Sequence, residues 1–266
     1  MSRVAVVGHV EWVQFVGVAA FPARGAVTPA ERAFVHAGGG GVVAAVVLAE
    51  LGAEVDFFCA LGRDANGEAA AAELTQRGVN VRAAWRDQPT RSVITLLEAG
   101  GERTIITIGE RLEPVAADEL EWTRLGDADG VYFTAGDAGA AARARSAGVL
   151  VATPRAREAL AHDRVAIDAL VFSANDQDER RWAQRLECQA RLMVQTEGAA
   201  GGHWWGESEG RWPAAPLPGE AMDDYGCGDS FAAGFTYGLA RGLPVLDAAA
   251  IGAERGALAL TRAGAP

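Results

Sequence analysis

The amino-acid sequence predicts an α/β fold: a doubly wound, mostly parallel β-sheet with helices on both faces, and a small second β-sheet. Short apolar runs that end at turn residues alternate with Ala-rich helical patterns along most of the chain, which is the order expected of parallel βαβ units. Two β-rich stretches interrupt the alternation, at about residues 10–28 and 81–108. We expect these insertions to pair into the small sheet and residues 1–266 to form a single domain.

The first part of the chain predicts two strands and two helices. The runs "VAVVG" (4–8) and "EVDFFCALG" (54–62) are typical of buried strands. The stretch "GGGGVVAAVVLAELGA" (38–53) predicts a glycine loop and a helix, and residues 67–79 predict a second helix that ends at a glycine. Because β-branched residues flank "AGGE" (99–102), a hairpin is expected there.

The rest of the chain resumes the alternation. Four further strands are predicted at 130–136, 148–154, 169–175 and 191–198. Helical patterns separate them, and "GGHWWGESEGRWPAAP" (201–216) predicts a second hairpin. Two Ala-rich helices, at 229–241 and 247–261, complete the predicted fold.

The composition excludes several classes of function. The net charge of −11 argues against nucleic acid or an anionic membrane as the main partner, because both bind basic surfaces. All 24 basic residues are arginine, and the chain contains no lysine. A Walker-type phosphate loop and Schiff-base catalysis both need a lysine, so neither chemistry is available here.

The cysteines and the N-terminal segment predict a cytoplasmic protein. Cys59, Cys188 and Cys227 are widely spaced and odd in number, so they indicate neither a zinc site nor a disulfide framework. The apolar run near the N-terminus is broken at Gly8, too soon for an export signal. No stretch approaches the roughly 18 consecutive apolar residues that a membrane-spanning helix needs.

The stretch "MDDYGCGDSF" (222–231) combines features that predict a catalytic site. Apolar residues recur every fourth position from Phe231 to Leu239, which predicts a helix that begins near Asp229. Gly226 and Gly228 let the preceding backbone turn tightly, so that its N–H groups converge at the helix N-terminus. Such a cluster of N–H groups binds anions without a lysine.

An aspartate at an anion-binding turn is electrostatically unfavourable unless it has a function. The Asp229 carboxylate can accept the proton of an attacking hydroxyl while the backbone N–H groups stabilise charge on a phosphoryl group. The alternative is that Asp229 only caps its helix, a position that aspartate often takes. These residues alone leave both interpretations open.

Five segments, in the same order, resemble the ribokinase-like (PfkB-type) carbohydrate kinases. "DDYGCGDSF" resembles the family signature D-T-x-G-A-G-D-x-F; the other four are residues 38–79, "GGERTIITIG", "SANDQDE" and "QTEGAAGG". The resemblance implies a doubly wound α/β domain with a β-sheet lid, here the insertions at 10–28 and 81–108. It also implies transfer of the γ-phosphate of ATP to a primary hydroxyl of a small sugar-like acceptor, with Mg²⁺ and, in some relatives, a monovalent cation as cofactors.

The resemblance assigns the phosphoryl-transfer site to the glycine turn. Asp229 takes the place of the catalytic base, and the backbone of Gly226, Cys227 and Gly228 that of the anion hole. Cys227 replaces the alanine of the signature. It is either a small residue that lines the hole or a reactive thiol, since thiolates are favoured at helix N-termini.

The resemblance also assigns a nucleotide side. The positions near ATP are Thr196, Gly198 and Asp223. Asn175 and Asp178 correspond to the N-x-x-E element that organises Mg²⁺ through water, with aspartate in place of the glutamate. Glu179 is adjacent to that position. Arg103, in the "GGERT" turn, either reaches a substrate phosphate or is solvated.

The acceptor side departs from the family pattern. The positions assigned to it are Glu11, Trp12, Gly39 and Gly41. Val13 and Val43 stand where the family has an aspartate and an asparagine that hold sugar hydroxyls. A site that loses polar partners discriminates less between hydroxylated ligands, so the acceptor differs from ribose or fructose or Glu11 does part of the binding.

Three alternatives to a sugar kinase follow from these departures. One is a nucleotide-binding pseudo-kinase or sensor that lacks a sugar site, and another is a nucleoside kinase. The third is an NAD-binding oxidoreductase, because the pattern Gly39-x-Gly41-x-x-Ala44 loosely fits a dinucleotide fingerprint. The expected partner is in each case a small molecule. The family resemblance also predicts a homodimer, because lid sheets in that family often pair with each other.

Overall fold

The computed structural model describes residues 2–98, 102–162 and 164–264. Its strands are β1 (Arg3–Val7), β2 (Glu11–Val18), β3 (Arg32–Gly38), β4 (Glu54–Gly62), β5 (Val79–Arg86), β6 (Ser92–Glu98), β7 (Arg103–Ile108), β8 (Gly130–Phe133), β9 (Val149–Ala152), β10 (Ile167–Ser173), β11 (Ala190–Thr196), β12 (Gly202–Gly206) and β13 (Gly210–Trp212). Its α-helices are α1 (Gly40–Glu50), α2 (Ala65–Gln76), α3 (Ala138–Ala144), α4 (Arg157–His162), α5 (Gln177–Leu186), α6 (Cys227–Ala240) and α7 (Val245–Leu260). The predicted strands and helices are therefore present, most within a few residues of their expected bounds.

The large sheet has nine strands in the order β13-β12-β11-β10-β9-β8-β1-β4-β5. All neighbours from β11 to β5 are parallel, and the hairpin β12–β13 adds two antiparallel strands at one edge. The chain winds outward from β1 in one direction through β4 and β5, and in the other through β8 to β11. The direction therefore switches between β1 and β8. In open α/β sheets a ligand crevice lies at such a switch point, beyond the carboxyl ends of the strands.

The small sheet has four strands in the order β3-β2-β6-β7, and its bounds differ from the predicted insertions. It uses residues 11–38, beyond the predicted end at 28, because the mostly exposed strand β3 lacks a clear apolar pattern. The predicted insertion at 81–108 included β5, which instead forms an edge of the large sheet. Buried and exposed side chains alternate along an edge strand as they do along a strand of a small sheet. The sequence pattern of β5 therefore did not show to which sheet it belongs. The hairpin turn expected at 99–102 lies mostly outside the described residues.

Helices cover both faces of the large sheet, as predicted. One face packs α1, α6 and α7 through buried residues such as Val43, Phe235 and Ala248. The other face packs α3 and α5 through residues such as Ala140 and Leu186. Within the described residues, no helix has the length and apolar character needed to cross a membrane.

Candidate active site

The switch point of the large sheet opens into a narrow pocket of about 50 Å³. The carboxyl ends of β8, β9, β10 and β11 meet there with the N-terminus of α6. The lining side chains and glycine that bear on chemistry are Tyr132, Arg155, Glu179, Thr196, Gly228 and Asp229. Parallel strands bring their carboxyl ends to one edge, so residues far apart in sequence converge at this pocket.

A larger cavity, of about 260 Å³, lies at the amino ends of the strands. It is lined by charged groups that already pair with one another. Arg124 Nε lies 2.9 Å from Asp56 Oδ2, and Arg3 Nε lies 3.8 Å from Glu54 Oε2. A ligand would have to compete with these ion pairs, and the catalytic crevices of α/β sheets lie at the opposite end. The smaller pocket is therefore the candidate site.

The glycine turn has the backbone geometry of an anion site. Gly226 adopts a left-handed conformation, with φ of 74°, and α6 begins at the next residue. The first hydrogen bond within the helix runs from Ser230 N to Gly226 O, at 2.8 Å. The N–H groups of Gly228 and Asp229 precede it and have no carbonyl partner within the helix. A Cβ added at Gly228 would meet nothing within 4 Å, so the turn borders open space.

Asp229 does not cap its helix. The N-cap is Gly226, and Asp229 lies in the first turn, 7% exposed. Its Oδ1 accepts a 2.8 Å hydrogen bond from the Tyr132 hydroxyl, and its Oδ2 lies 3.6 Å from Arg155 Nη1. A Cβ added at Gly40 would lie 2.7 Å from Oδ1 and 3.0 Å from Oδ2, so the whole carboxylate is packed against the glycine loop. The capping interpretation is wrong, and Oδ2 is the oxygen that faces Arg155.

The charges around Asp229 fix the protonation of its two neighbours. Burial, followed by the negative charge of Asp229, raises the pKa of Tyr132 well above its usual value. Tyr132 therefore stays protonated and acts as the hydrogen-bond donor. The negative charge of Asp229 is also the main cause that raises the pKa of Arg155, with Glu179 adding to it, so Arg155 stays cationic.

Glu179, not Asp178, is the acidic residue of α5 that lies in the pocket. The Asp176 side chain caps α5 by accepting from the N–H groups of Asp178 and Glu179, at 2.9 and 3.0 Å. This register turns Asp178 outward, where its side chain is 79% exposed. Glu179 turns inward and accepts from Ser173 N at 2.9 Å and from Arg155 Nε at 2.7 Å. Glu179 therefore takes the position in the pocket that the sequence analysis assigned to Asp178.

The predicted nucleotide residues at the ends of β10 and β11 lie together. Thr196 lines the pocket, and its hydroxyl lies 3.4 Å from Phe172 O. Gly198 has a φ of 58°, and a Cβ added there would lie 3.6 Å from the Asn175 side-chain nitrogen. Thr196 therefore lines the pocket, and Gly198 and Asn175 lie beside each other in the loops that follow β11 and β10. The three residues form a rim that leads from the pocket toward helix α5, which carries Glu179.

Asp223 has a structural role instead of the predicted cofactor contact. Its Oδ1 accepts from Tyr225 N at 2.8 Å, and its Oδ2 accepts from Gly264 N at 2.7 Å. The residue is 5% exposed, and burial raises the pKa of its carboxyl. Both oxygens thus hold the start of the glycine turn to the C-terminal segment, which directs the carboxylate away from the pocket.

The predicted acceptor side contains a buried polar cluster. His9 Nε2 lies 3.9 Å from Glu11 Oε1, and Arg91 Nη1 lies 3.3 Å from the same oxygen. Burial, with the positive charges of nearby arginines, lowers the pKa of His9 to about 3, so this imidazole is neutral. Burial is also the main cause that raises the pKa of Glu11. The Nδ1 atom of His9 and the Nε atom of Arg91 are buried without a protein partner, as expected of groups that await a ligand or water.

The glycine loop at 38–41 packs closely against this cluster. Gly39 has a φ of 90°, and its N–H donates to the Tyr225 hydroxyl at 2.9 Å. A Cβ added at Gly39 would lie 3.0 Å from His9 Nε2, and one at Gly41 would lie 2.8 Å from His9 O. The loop connects β3 of the small sheet to α1. A dinucleotide fingerprint instead follows a strand of the parallel sheet, so the NAD-binding interpretation is not supported.

Three other residues considered for the acceptor side lie elsewhere. Val13 and Val43 are 0% and 1% exposed, and pack against Gly38 and Gly226 respectively. Trp12 lies between Glu11 and Val13 in β2. Because successive side chains in a strand point to opposite faces, Trp12 lies on the face of the small sheet away from Glu11. Trp12 therefore lies outside the polar cluster of His9, Glu11 and Arg91.

The small sheet contacts the glycine turn directly. Arg103, on β7, forms an ion pair with Asp224, and its guanidinium lies 5.8 Å from the centroid of the Tyr225 ring. Tyr225 also packs edge-to-face against Phe15 of β2, with centroids 5.2 Å apart. Arg103 is thus neither fully solvated nor directed to the pocket. It ties the small sheet to the residues that precede the anion site.

Three residues that contact Asp229 were not predicted as site residues from the sequence: Tyr132, Arg155 and Gly40. A tyrosine within a buried strand needs a partner for its hydroxyl, which would have marked Tyr132. Arg155 follows β9 directly, and positions just after parallel strands are those that reach a switch-point crevice. Gly40 carries no signal of its own within a run of four glycines.

Known proteins resemble this chain in sequence and in fold. The sequence model described as "pfkB family carbohydrate kinase" matches residues 1–266. The chain is 43% identical over 75 residues to the inositol 3-kinase of Oryza sativa subsp. japonica, a match that covers 28% of this chain and 18% of that protein. This chain therefore matches less than a fifth of the length of that plant relative.

Solved structures share the whole fold. Arabidopsis thaliana ribokinase, complexed with ribose and ATP, has a TM-score of 0.79 at 20% identity, covering 100% of this chain and 95% of that one. The nucleoside kinase of Methanocaldococcus jannaschii, an archaeal member of the ribokinase family, has a TM-score of 0.77 at 16% identity. The match covers 99% of this chain and 93% of that one. At these identities the two structures establish the fold alone.

Proposed function

The chain belongs to the pfkB family of carbohydrate kinases, and from that membership we propose that it transfers the γ-phosphate of ATP to a hydroxyl of a small polyol or sugar. The observation that carries this proposal is the position of Asp229. Its carboxylate is held at the start of α6, beside backbone N–H groups that border open space at Gly228. A carboxylate beside unpaired N–H groups supports the proposal, because in-line transfer to an alcohol requires a base next to an anion site.

In the proposed mechanism, Oδ2 of Asp229 accepts the proton of the attacking hydroxyl. Oδ1 accepts a hydrogen bond from the Tyr132 hydroxyl, which leaves Oδ2 for the acceptor. General-base catalysis of this kind contributes roughly 10²–10⁴-fold to a rate. The N–H groups of Gly228 and Asp229 then stabilise the charge on the transferred phosphoryl group. The Cys227 N–H of the predicted anion hole instead donates to Asp224 O at 3.4 Å.

ATP would lie along the rim formed by Thr196, Gly198 and Asn175. Within the described ranges, no three His, Cys, Asp or Glu side chains are placed to hold a metal ion on their own. Magnesium keeps several waters and binds through substrate phosphates, so we propose that it would enter as part of Mg–ATP, with Glu179 and Asn175 holding its waters. When bound, it would neutralise charge on the phosphates.

The acceptor would lie between the pocket and the polar cluster of His9, Glu11 and Arg91. A carboxylate, a neutral imidazole and a guanidinium together accept from and donate to neighbouring hydroxyls. Because Val13 and Val43 are buried and apolar, this cluster must supply the hydroxyl contacts. A cyclic polyol is the first candidate, since the plant relative is named an inositol 3-kinase. A nucleoside is the second, since a structural neighbour is named a nucleoside kinase.

A coupled assay for ADP release tests the activity. Inositols, pentoses, hexoses, adenosine and glycerol would be offered at equal concentration with Mg–ATP. Turnover with an inositol or a sugar, above the rate with water alone, supports the proposal. Preference for adenosine would make the protein a nucleoside kinase. Binding of ATP without turnover on any acceptor would identify a nucleotide sensor and overturn the proposed activity.

The small sheet would act as a lid and as a dimer interface. Its outer face carries a row of neighbouring residues, Val35, Gln14, Ile94 and Ile106, on four adjacent strands. Val35 and Ile106 are 41% and 48% exposed. A β-sheet face of this apolar character is a candidate interface, and we propose that a second copy of the chain covers it.

The compartment is proposed from the cysteines. Cys59, Cys188 and Cys227 are all free thiols. Free thiols, one of them exposed, suit a reducing environment, which supports a cytoplasmic location.

A further inference from the structure

Arg155 is placed between the two carboxylates of the pocket by a short, defined turn. It follows β9 in the sequence Thr153-Pro154-Arg155, where the Thr153 side chain caps a single turn of 3₁₀-helix. Pro154 fixes the backbone at the start of that turn. The Arg155 side chain is half-exposed and reaches from this turn toward α6. Its position is therefore set by local backbone structure rather than by a flexible loop.

The two contacts of Arg155 differ in strength. Its Nε donates to Glu179 Oε1 at 2.7 Å, which is a short, charge-assisted hydrogen bond. Its Nη1 lies 3.6 Å from Asp229 Oδ2, which is beyond hydrogen-bond distance. Glu179 thus anchors one edge of the guanidinium, while the edge toward Asp229 is held only by charge. A phosphate oxygen could take that second position without disturbing the first contact.

A phosphoryl group in transit must pass close to this edge. The oxygen proposed as the base is Oδ2 of Asp229, and the N–H groups proposed to hold the phosphoryl group lie at Gly228, which lines the same pocket as Arg155. A guanidinium presents its N–H donors in a planar fork that matches phosphate geometry. The chain has no lysine, so any cationic side chain that serves here is an arginine.

We propose that Arg155 binds the γ-phosphoryl group of ATP directly, an inference that rests on the proposed function. In the free protein its Nη1 side neutralises Asp229. When ATP is bound, that side turns to the γ-phosphoryl oxygens while Nε stays on Glu179. Arg155 then stabilises the charge on the transferred group and leaves Oδ2 of Asp229 free to accept the proton of the acceptor hydroxyl.

The test compares Arg155→Gln and Arg155→Lys with the matched control Arg157→Gln. Arg157 is two residues further on, and its guanidinium lies 5.2 Å from the centroid of the Trp182 ring on α5. Calorimetric titration with Mg–ATP and Mg–ADP gives the affinity for each nucleotide, and the coupled assay gives turnover. Only a contact with the γ-phosphoryl group weakens ATP binding without weakening ADP binding.

For Arg155→Gln we expect ATP affinity to fall at least tenfold, ADP affinity to change less than threefold, and turnover to fall at least a hundredfold. Added guanidinium should restore part of the turnover. Arg155→Lys keeps a charge on a similar stem, so it should lose less, and it decides the question if the glutamine variant does not fold. Arg157→Gln should keep the wild-type ratio of ATP to ADP affinity.

Two results would overturn the inference. One is a folded Arg155→Gln or Arg155→Lys protein with the ATP-to-ADP affinity ratio and turnover of the wild type. The other is an equal loss of ATP and ADP affinity, which would mean that Arg155 only maintains the shape of the pocket. If wild-type protein binds ATP and phosphorylates no acceptor, the proposed activity fails, yet the affinity ratio still decides the role of Arg155. Wild-type protein that binds neither ATP nor ADP would refute both the proposed kinase activity and the proposed role of Arg155.

Discussion

The hydroxyl of Tyr132 donates a 2.8 Å hydrogen bond to Oδ1 of Asp229, a residue 97 positions further along the chain. This contact joins β8, at the switch point of the large sheet, to the first turn of α6. It fixes the orientation of the carboxylate, because Oδ1 is engaged and Oδ2 then faces Arg155. The pair therefore defines which oxygen of the proposed base meets the acceptor.

Removing the Tyr132 hydroxyl should lower turnover more than it lowers stability. Tyr132→Phe keeps the buried ring and deletes only the donor, so the free energy of unfolding should fall by about 1–2 kcal/mol. Turnover should fall roughly tenfold, since the carboxylate loses its fixed orientation. Thermal unfolding and the coupled assay measure the two effects. An unchanged turnover would show that the hydrogen bond does not orient Asp229.

Replacing the carboxylate of Asp229 should remove the general base. Asp229→Asn keeps the size of the side chain, so turnover should fall at least about a hundredfold while ADP affinity is largely kept. Asp247 offers a matched control, because it is the third residue of α7 as Asp229 is of α6, and it is exposed. Asp247→Asn should keep wild-type turnover. Near-normal turnover in Asp229→Asn would refute the assignment of the base.

The thiol of Cys227 should be unreactive at neutral pH. It lies at a helix N-terminus, which favours a thiolate, but burial outweighs that effect and raises its pKa to about 12. At pH 8 only about one thiol in ten thousand would be ionised. Iodoacetamide labelling followed by peptide mass mapping should modify the exposed Cys188 and spare Cys227. Rapid labelling of Cys227 would restore the reactive-thiol interpretation.

The sequence predicted those parts of the fold and site that depend on local pattern. The strand at 54–62 and the start of α6 near Asp229 follow from apolar periodicity and from glycine, so they were found. The placement of Glu179 depends on which residue caps α5, and three candidates, Asn175, Asp176 and Asp178, stand within four positions. Arg155 reaches the pocket only because parallel strands end together, which is a property of the tertiary fold.

The outer face of the small sheet should control the oligomeric state. Ile106 lies on that face and is 48% exposed, so Ile106→Glu should cost little folding stability. If a second copy covers the face, the buried charge should shift a dimer to monomer in sedimentation velocity. Ile105, the next residue in the strand, is 45% exposed on the opposite face, and Ile105→Glu is the matched control. A monomeric wild-type protein would refute the proposed interface.

Substitutions at the adjacent acids Asp178 and Glu179 should separate a pocket residue from a surface residue. Glu179 anchors Arg155 and accepts from Ser173 N, so Glu179→Gln should lower turnover at least tenfold and raise the Mg²⁺ concentration needed for half-maximal rate. Asp178 is 79% exposed and should tolerate Asp178→Asn with less than a twofold change. A magnesium titration of both variants in the coupled assay measures this. The reverse order of effects would restore Asp178 as the metal-organising residue, and would require α5 to begin one residue earlier than its cap at Asp176 allows.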